Sequence, residues 1–173
     1  MQKTIKFIII IILIFILGIF FLALNKNTTY NTEHLVGNRL TNIKLNSFDN
    51  NEIISDKELI KNNFTLINFW ASWCAPCKVE HSNLMKLSKE KNLKIIGVNF
   101  KDQKINALKF LNNLGNPYDF LARDNQGKQS IIFGIYGIPE SILINKDLKI
   151  IKKIIGPINN NDLNDIKEII KSL

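Results

Sequence analysis

The sequence is poor in the residues that build metal sites and disulfide frameworks. Its 173 residues include two cysteines and two histidines, His34 and His81. A structural zinc site usually needs four such ligands, and these histidines do not have the usual ligand spacing. The two cysteines lie three positions apart, so a permanent disulfide between them would restrict the unfolded chain little. The composition therefore argues against a zinc site and against a purely structural disulfide.

The sequence also lacks a concentrated basic segment, although its formal net charge is +8. The lysines are scattered among asparagines and isoleucines, without a run of five basic residues or interleaved aromatic residues. A face that binds phosphates normally shows such clustering. We therefore attribute the charge to solubility and predict no nucleic-acid partner.

No charged residue occurs in residues 7–24, and no acidic residue precedes Glu33. At the helical rise this run spans about 27 Å, close to the roughly 30 Å hydrocarbon core of a bilayer. Two lysines precede the run. The positive-inside rule therefore predicts that residues 1–6 form a cytoplasmic tail and that the rest of the chain is exported.

A cleaved signal peptide is the alternative explanation for this segment. The apolar part of a signal peptide is normally about 7–15 residues long and ends at a small-x-small site. Here the run is longer, and its end at residues 21–25 has no second small residue in register. No cysteine follows it directly, which excludes lipoprotein processing. The sequence therefore predicts an uncleaved transmembrane anchor at 7–24, a polar tether at 25–34 and one domain at 35–173.

The two cysteines that are present lie in a Trp-Cys-Ala-Pro-Cys segment at residues 73–77. Residues 64–70 before it have the pattern of a buried strand, and residues 76–89 after it have the pattern of a helix. A Cys-x-x-Cys pair at a strand-to-helix junction is typical of a redox site.

The start of that helix assigns different roles to the two cysteines. Unpaired N–H groups and the helix dipole at Cys74 favour a thiolate, which is the nucleophile in disulfide exchange. Pro76 fits the first helical turn, because its missing N–H has no helical acceptor there. Cys77 lies three residues further on and is expected to be more buried. We therefore expect Cys74 to attack a disulfide and Cys77 to resolve the intermediate.

The rest of the sequence alternates strand and helix patterns, which predicts one α/β domain with a mixed central sheet. Turn-forming residues at 49–51 indicate a hairpin that precedes this sheet. The predicted elements are a hairpin within 35–60, strands at 64–70, 93–100, 118–122, 141–144 and 149–155, helices at 76–89, 104–114 and 162–173, and a short helix or turn at 126–134.

Two segments resemble those of a known superfamily. Residues 68–78 (NFWASWCAPCK) resemble the active-site segment of thioredoxins, and residues 134–139 (GIYGIP) resemble the loop that carries their cis-proline. Four shorter segments, at residues 77–81, 99–102, 115–118 and 136–140, resemble a narrower group. This is the DsbE/CcmG group, the membrane-anchored thiol:disulfide interchange proteins of cytochrome c maturation. The similarity runs from about residue 35 to near the C-terminus.

The resemblance implies a thioredoxin-like fold and a set of residues around the cysteines. Pro139 would be cis and lie against the cysteine pair, where the backbone of Ile138 can bind an extended substrate. Glu80 and Glu140 match acidic positions that shape the site and could relay protons. Trp73 would cover the disulfide and offer an apolar docking surface. The alternatives are a loop stop for the proline, a solvated helix face for Glu80 and core packing for Trp73.

Three further positions bear on the site. Classical thioredoxins have a buried aspartate where this chain has Asn68, so the usual buried proton acceptor is predicted to be missing. The cytochrome-maturation group also has asparagine there, so this difference argues against a general cytosolic thioredoxin. His81 matches the group's motif, although a surface position on the helix would account for it equally well. Trp70 is predicted to lie in the core.

The resemblance implies a protein-disulfide reductase of the inner membrane, with its catalytic domain in the periplasm. It would reduce the haem-attachment disulfide of apocytochrome c, or a maturation partner, with electrons from a DsbD/CcdA-type membrane thiol transporter. No metal or organic cofactor is expected, since the cysteine pair carries two electrons.

Two other functions remain open, and a third is excluded. A TlpA/ResA-type reductase would serve a copper-site protein. A non-enzymatic metal or haem chaperone would need a further ligand near Cys74 and Cys77, for which His81 is the candidate near in sequence. A thiol peroxidase is excluded, because its Thr/Pro-rich cysteine setting is absent.

Overall fold

The chain divides into two compact units, residues 1–31 and residues 32–173. The computed structural model describes residues 2–24, 35–48 and 52–172. The predicted tether at residues 25–34 lies outside the described residues, as do the turn residues 49–51 of the predicted hairpin.

The first unit contains a long apolar helix, α1 (Gln2–Leu24). At 1.5 Å per residue it is about 34 Å long. Among the described residues it is the one helix long and apolar enough to cross a membrane, and none of its apolar window is buried in protein. A signal sequence would share this length and composition, so an uncleaved anchor at 7–24 stays a prediction.

The second unit begins with the predicted hairpin. Strand β1 (Lys44–Asn46) pairs antiparallel with strand β2 (Ile53–Ser55), and the short helix α2 (Asp56–Leu59) follows. The hairpin is joined to the main sheet through Phe48, whose N–H donates to the carbonyl of Leu121 at 2.8 Å. The extension therefore packs along one edge of the domain.

A five-stranded mixed sheet forms the centre of this unit. Its strands are β3 (Phe64–Trp70), β4 (Leu93–Phe100), β5 (Phe120–Asp124), β6 (Glu140–Asn145) and β7 (Ile150–Ile155). They lie in the order β5-β4-β3-β6-β7, with β3, β4 and β5 parallel and β6 and β7 antiparallel. The predicted mixed sheet is confirmed.

In the part of the chain that the structure describes, four helices flank this sheet, and the predicted short helix or turn at 126–134 is one of them. They are α3 (Ala75–Leu87), α4 (Lys104–Leu114), α5 (Lys128–Ile132) and α6 (Asn160–Lys171). The last helix begins two residues earlier than predicted, because the side chain of Asn159 caps it by accepting the N–H groups of Asn161 and Asp162.

Strand β5 begins at Phe120, two residues later than the predicted start at residue 118. Tyr118 is not part of it, because its N–H donates to the side chain of Asn116 in a turn. Pairing with the neighbouring strand starts at Phe120, opposite Ile96. The ring of Tyr118 instead lies over Gly97, where an added Cβ would be 2.7 Å from it.

The central strand β3 places the cysteines. All seven of its residues are buried, as expected for a strand with neighbours on both sides and helices on both faces. The carboxyl end of β3 leads directly into α3, so the Cys-x-x-Cys segment lies at the end of the sheet where the parallel strands terminate. The apolar core is divided between the two sheet faces, and the face beneath α3 contains both cysteines.

Candidate active site around the Cys74–Cys77 disulfide

Cys74 and Cys77 form a disulfide at the start of α3, with their Cα atoms 5.3 Å apart. Cys74 is the N-cap residue of the helix, and its sulfur accepts the N–H of Cys77 at 3.2 Å. Pro76 is exposed in the first turn, as predicted. The same N–H group and the helix dipole would stabilise a thiolate on Cys74 once the disulfide is reduced.

A shallow groove gives access to only one of the two sulfur-bearing residues. Cys74 lines this groove together with Trp73 and Lys78, and Cys77 is not among its lining residues. Cys74 is 5 % exposed and Cys77 is 2 % exposed. An incoming disulfide can therefore reach Cys74 more easily.

Trp73 forms one wall of the groove and is 59 % exposed. Its indole N–H donates to the carbonyl of Lys101 at 3.2 Å, which fixes the ring beside Cys74. Core packing, the alternative considered for this residue, is therefore wrong. Trp70 is buried, as predicted, and its ring stacks on Tyr118.

The peptide bond between Ile138 and Pro139 is cis, as the resemblance implied. We refer to residues 134–139 as the proline loop. Ile138 packs against the core cluster that contains both cysteines. The carbonyl of Pro139 accepts the N–H of Gly156 at 3.0 Å, which connects this loop to the segment before α6.

Glu140 is buried directly after the proline loop. One carboxylate oxygen accepts the N–H groups of Tyr136 and Gly137, each at 2.9 Å. The other oxygen lies 3.1 Å from the amine of Lys153. The contacts of Glu140 are thus with the backbone of the loop and with a lysine that sequence reasoning did not identify.

Glu80 is fully buried, so a solvated helix face is wrong for this residue. Its Oε1 accepts the side-chain N–H of Asn68 at 2.8 Å, and its Oε2 accepts the backbone N–H of Ile158 at 2.9 Å. Burial raises the pKa of Glu80 to about 7, although both hydrogen bonds act in the opposite direction. Glu80 can therefore gain or lose a proton near neutral pH.

Asn68 lies at the centre of a buried polar network. Its Nδ2 donates to Glu80 and, at 3.0 Å, to the hydroxyl of Ser141, while its Oδ1 accepts the phenol O–H of Tyr118 at 2.9 Å. Burial, with the nearby Glu80, holds the pKa of Tyr118 well above its ordinary value. The sequence predicted that a buried proton acceptor is missing because Asn68 cannot titrate. Asn68 itself cannot titrate, but its side-chain amide contacts a carboxylate that can, that of Glu80.

His81 is also buried, which overturns the surface alternative. Its Nε2 lies 3.0 Å from the carbonyl of Gly115, and its ring meets Phe110 edge-on. Burial lowers the pKa of His81, so the neutral imidazole is favoured. Among the residues that the structure describes, no three histidine, cysteine, aspartate or glutamate side chains lie close enough together to hold a metal ion.

Comparisons with known proteins agree with this geometry. The Redoxin family matches residues 35–170. The thiol:disulfide interchange protein DsbE of Vibrio cholerae is 34 % identical over 167 residues, which cover 94 % of this chain and 90 % of that protein. HelX of Rhodobacter capsulatus, also named a thiol:disulfide interchange protein, is 32 % identical over 162 residues, covering 93 % of this chain and 92 % of that one. The chain belongs to the Redoxin family, among the thiol:disulfide interchange proteins.

A third relative and a solved structure extend the comparison. The thiol:disulfide interchange protein CycY of Rhizobium leguminosarum is 48 % identical over 106 residues, 61 % of this chain and 57 % of that protein. The crystal structure of a DsbF homologue from Corynebacterium diphtheriae has a TM-score of 0.68 at 19 % identity, covering 86 % of this chain and 96 % of that chain. This structural likeness shows that the domain has the same fold.

As a thiol:disulfide interchange protein, the chain has one redox pair, Cys74 and Cys77, since it contains no other cysteine. The structure also reveals a residue that positions the segment before this pair. The carboxylate of Asp102 accepts the backbone N–H and the hydroxyl of Ser72 at 2.6 and 3.0 Å. No pattern in the sequence identifies Asp102 as a partner of Ser72, because 30 residues separate them.

Proposed function

We propose that this protein is an exported, membrane-tethered dithiol reductase whose client is the haem-attachment disulfide of apocytochrome c or a cytochrome c maturation partner. The observation that carries the proposal is the redox pair at the start of α3, with the buried carboxylate of Glu80 one helical turn beyond Cys77. The membrane-length α1 and the similarity to DsbE and HelX support the same role.

The first step is attack on the client by the reduced protein. The Cys74 thiolate attacks one sulfur of the client disulfide, and the client's sulfur–sulfur bond breaks. A mixed disulfide forms between Cys74 and the client, and the client's second sulfur leaves as a thiolate that takes up a proton. The access of the groove to Cys74 supports this choice of nucleophile.

The second step releases the client and needs a proton acceptor. Cys77 must lose its thiol proton before it can attack the sulfur of Cys74. Glu80 lies three residues further along α3, on the same side of the helix, and its pKa of about 7 suits transfer of that proton. The attack forms the Cys74–Cys77 disulfide and breaks the bond between Cys74 and the client. The client's sulfur leaves as a thiolate and takes up a proton, so the client departs as a dithiol that has gained two electrons.

The protein must then be reduced again. A dithiol donor in the membrane, of the DsbD/CcdA type, would return the two electrons by the same exchange in reverse. The proposed orientation has residues 1–6 in the cytoplasm and the catalytic domain in the periplasm. Disulfides form readily in that compartment, whereas covalent attachment of haem requires free thiols, so a dedicated reductase is needed there.

Trapping the mixed disulfide in cells tests this proposal. Cys77→Ser leaves Cys74 able to attack but removes the thiol that resolves the intermediate. The adducts would be separated on non-reducing gels and identified by mass spectrometry, with Cys74→Ser/Cys77→Ser as the control that cannot form them. Apocytochrome c or its maturation proteins attached to Cys74 would support the proposal.

Other outcomes would redirect or refute it. Copper-site proteins attached to Cys74 would make the protein a TlpA/ResA-type reductase with a different client. A complete lack of adducts, with metal bound by the reduced wild-type protein, would favour a chaperone that does not exchange disulfides.

A further inference from the structure

A lysine is buried beneath the proline loop. Lys153 lies on β7 opposite Ile142 of β6, so its side chain shares a sheet face with Glu140. That side chain has no exposed surface. Lysine is almost never fully buried without a partner, and here its amine lies 3.1 Å from Glu140 Oε2.

The same amine also contacts the proline loop directly. It donates to the carbonyl of Gly134 at 2.5 Å, and it lies 5.3 Å from the centre of the Tyr136 ring. The other oxygen of Glu140 accepts the N–H groups of Tyr136 and Gly137. The ion pair therefore holds the loop through one carbonyl and two N–H groups within four residues.

A pair of apolar side chains at positions 140 and 153 would not hold the proline loop. Replacing a buried ion pair by apolar residues of similar volume is often neutral or stabilising. Apolar side chains at positions 140 and 153 could neither accept the two N–H groups nor donate to the Gly134 carbonyl. The charged pair thus contributes loop geometry more than it contributes overall stability.

The ion pair holds residues 134–137 of the proline loop, and this part of the loop reaches the protein surface beside the site. Tyr136 is 60 % exposed, and Ile138, two residues on, is half-buried beside the core of the cysteine pair. We propose that Lys153 is a positioning residue that, through Glu140 and Gly134, keeps the proline loop in the shape that receives a polypeptide client's backbone. This inference rests on the proposed reduction of protein disulfides.

Kinetics of Lys153→Met in the full-length protein test the inference with two substrates. One is a disulfide-bonded Cys-x-x-Cys-His peptide, which has a backbone for the loop to bind. The other is dithiobis(nitrobenzoate), which has none. We expect kcat/KM for the peptide to fall by about tenfold or more, mainly through a higher KM. A displacement of the bound substrate by about 1 Å can lower the reaction rate by about a hundredfold. The rate with the small disulfide should change by less than about twofold.

Two variants serve as controls for charge and position. Lys152→Met is the matched control, because Lys152 precedes Lys153 on the same strand and pairs instead with Asp165 at 2.6 Å. It should leave both substrates unaffected. Lys153→Arg keeps the charge and the donors, so it should recover most of the peptide activity.

Hydrogen exchange of the Tyr136 and Gly137 N–H groups provides a readout that does not depend on catalysis. We expect exchange at both to accelerate by about tenfold or more in Lys153→Met and to stay unchanged in Lys152→Met. If Lys153→Met does not fold, Glu140→Leu/Lys153→Met removes both charges together, leaves no unpaired charge and removes the acceptor of the two N–H groups. The same acceleration of exchange and the same loss of peptide activity are expected for that double variant.

Several results would overturn the inference. Unchanged exchange in a folded variant would do so, as would equal losses of activity with the peptide and the small disulfide. A wild-type protein that reduces neither substrate would instead refute the proposed function, while the exchange rates would still decide whether the ion pair holds the loop.

Discussion

Glu80 is subject to two opposing effects of its surroundings. Burial disfavours its charge, whereas both carboxylate oxygens accept N–H groups, an arrangement that suits the ionised form. If Glu80 were protonated, its O–H would point at one of these N–H groups, which is unfavourable. A flip of the Asn68 side-chain amide would avoid this, because the amide oxygen could then accept the O–H. The balance leaves the pKa at about 7, well above the ordinary value of 4.5.

The raised pKa makes stability depend on pH. The unfolded chain releases the Glu80 proton near pH 4.5, but the folded protein retains it until about pH 7. The stability that this carboxyl contributes is therefore complete below pH 4.5, decreases as the pH rises and is lost above about pH 7. The difference corresponds to about 3 kcal/mol at its full extent.

Urea unfolding of the oxidised protein between pH 4.5 and 8 would measure this dependence. Glu80→Gln should remove most of the decrease, because an amide does not titrate. Glu168→Gln, at an exposed position on α6, is the matched control and should retain the wild-type dependence. A wild-type free energy of unfolding that is flat over this range would contradict the buried, titrating carboxyl.

Asn83 is linked to Glu80 through Ile158. Its side-chain N–H donates to the carbonyl of Ile158 at 3.0 Å, while the N–H of Ile158 donates to Glu80. Asn83→Leu should free Ile158 and weaken its hydrogen bond to the carboxylate. We therefore expect the pKa of Glu80 to rise above its wild-type value of about 7.

Carbon-13 NMR of the Glu80 carboxyl would follow this titration directly. Ser82→Ala, at the exposed position one residue before Asn83, should not change it. An unchanged titration in folded Asn83→Leu would show that Ile158 is held in place without Asn83.

At the scale of elements, the segment before Cys74 is held between two loops at the carboxyl ends of neighbouring parallel strands. β3 leads into Ser72 and Trp73, and β4 leads into Lys101 and Asp102. Asp102 accepts two hydrogen bonds from Ser72, and Lys101 accepts the indole N–H of Trp73. The two loops therefore fix the segment that precedes Cys74.

Asp102→Ala should loosen this junction. It would leave the backbone N–H and the hydroxyl of Ser72, and the side-chain amide of Asn99, without the acceptor that Asp102 provides. We expect a loss of about 1–3 kcal/mol in unfolding free energy, because donors without acceptors are costly. The indole N–H signal of Trp73 in NMR should also shift and exchange faster.

Asp147→Ala is the control for this variant. Asp147 lies in the exposed turn between β6 and β7, so its replacement should change neither the stability nor the Trp73 signal. An unchanged Trp73 signal in Asp102→Ala would show that the Lys101 carbonyl holds the indole by itself.

At the scale of the whole molecule, the question is whether α1 stays attached. If it is an uncleaved anchor, protein extracted from membranes should have the full 19.9 kDa mass. An alkaline phosphatase fused after the C-terminus should be active, because two lysines before the apolar run favour a cytoplasmic N-terminus. Intact-mass spectrometry and phosphatase assays check these two expectations.

Reversing the charge asymmetry provides a control for the orientation. Lys3→Glu/Lys6→Glu should reduce the phosphatase activity of the fusion, since the positive flank is lost. A shorter, soluble species would show instead that α1 is removed as a signal peptide.

The sequence by itself determined the elements and the identity of the redox pair. The strand at 64–70, the helix that follows it and the cysteines at their junction depend on contiguous patterns of apolar residues and caps. Such patterns act over a few neighbouring residues, so they can be recognised without knowledge of the rest of the chain. The motif around Pro139 was likewise recognisable as a local segment.

Only the tertiary structure decided the environments of the polar side chains. Whether Glu80 is solvated or buried depends on Asn68, 12 residues away, and on Ile158, 78 residues away. Lys153 lies in the predicted strand at 149–155, but only the sheet register places its side chain on the same sheet face as Glu140. The charge and proton affinity of a side chain depend on what surrounds it in three dimensions, and residues distant in sequence provide those surroundings.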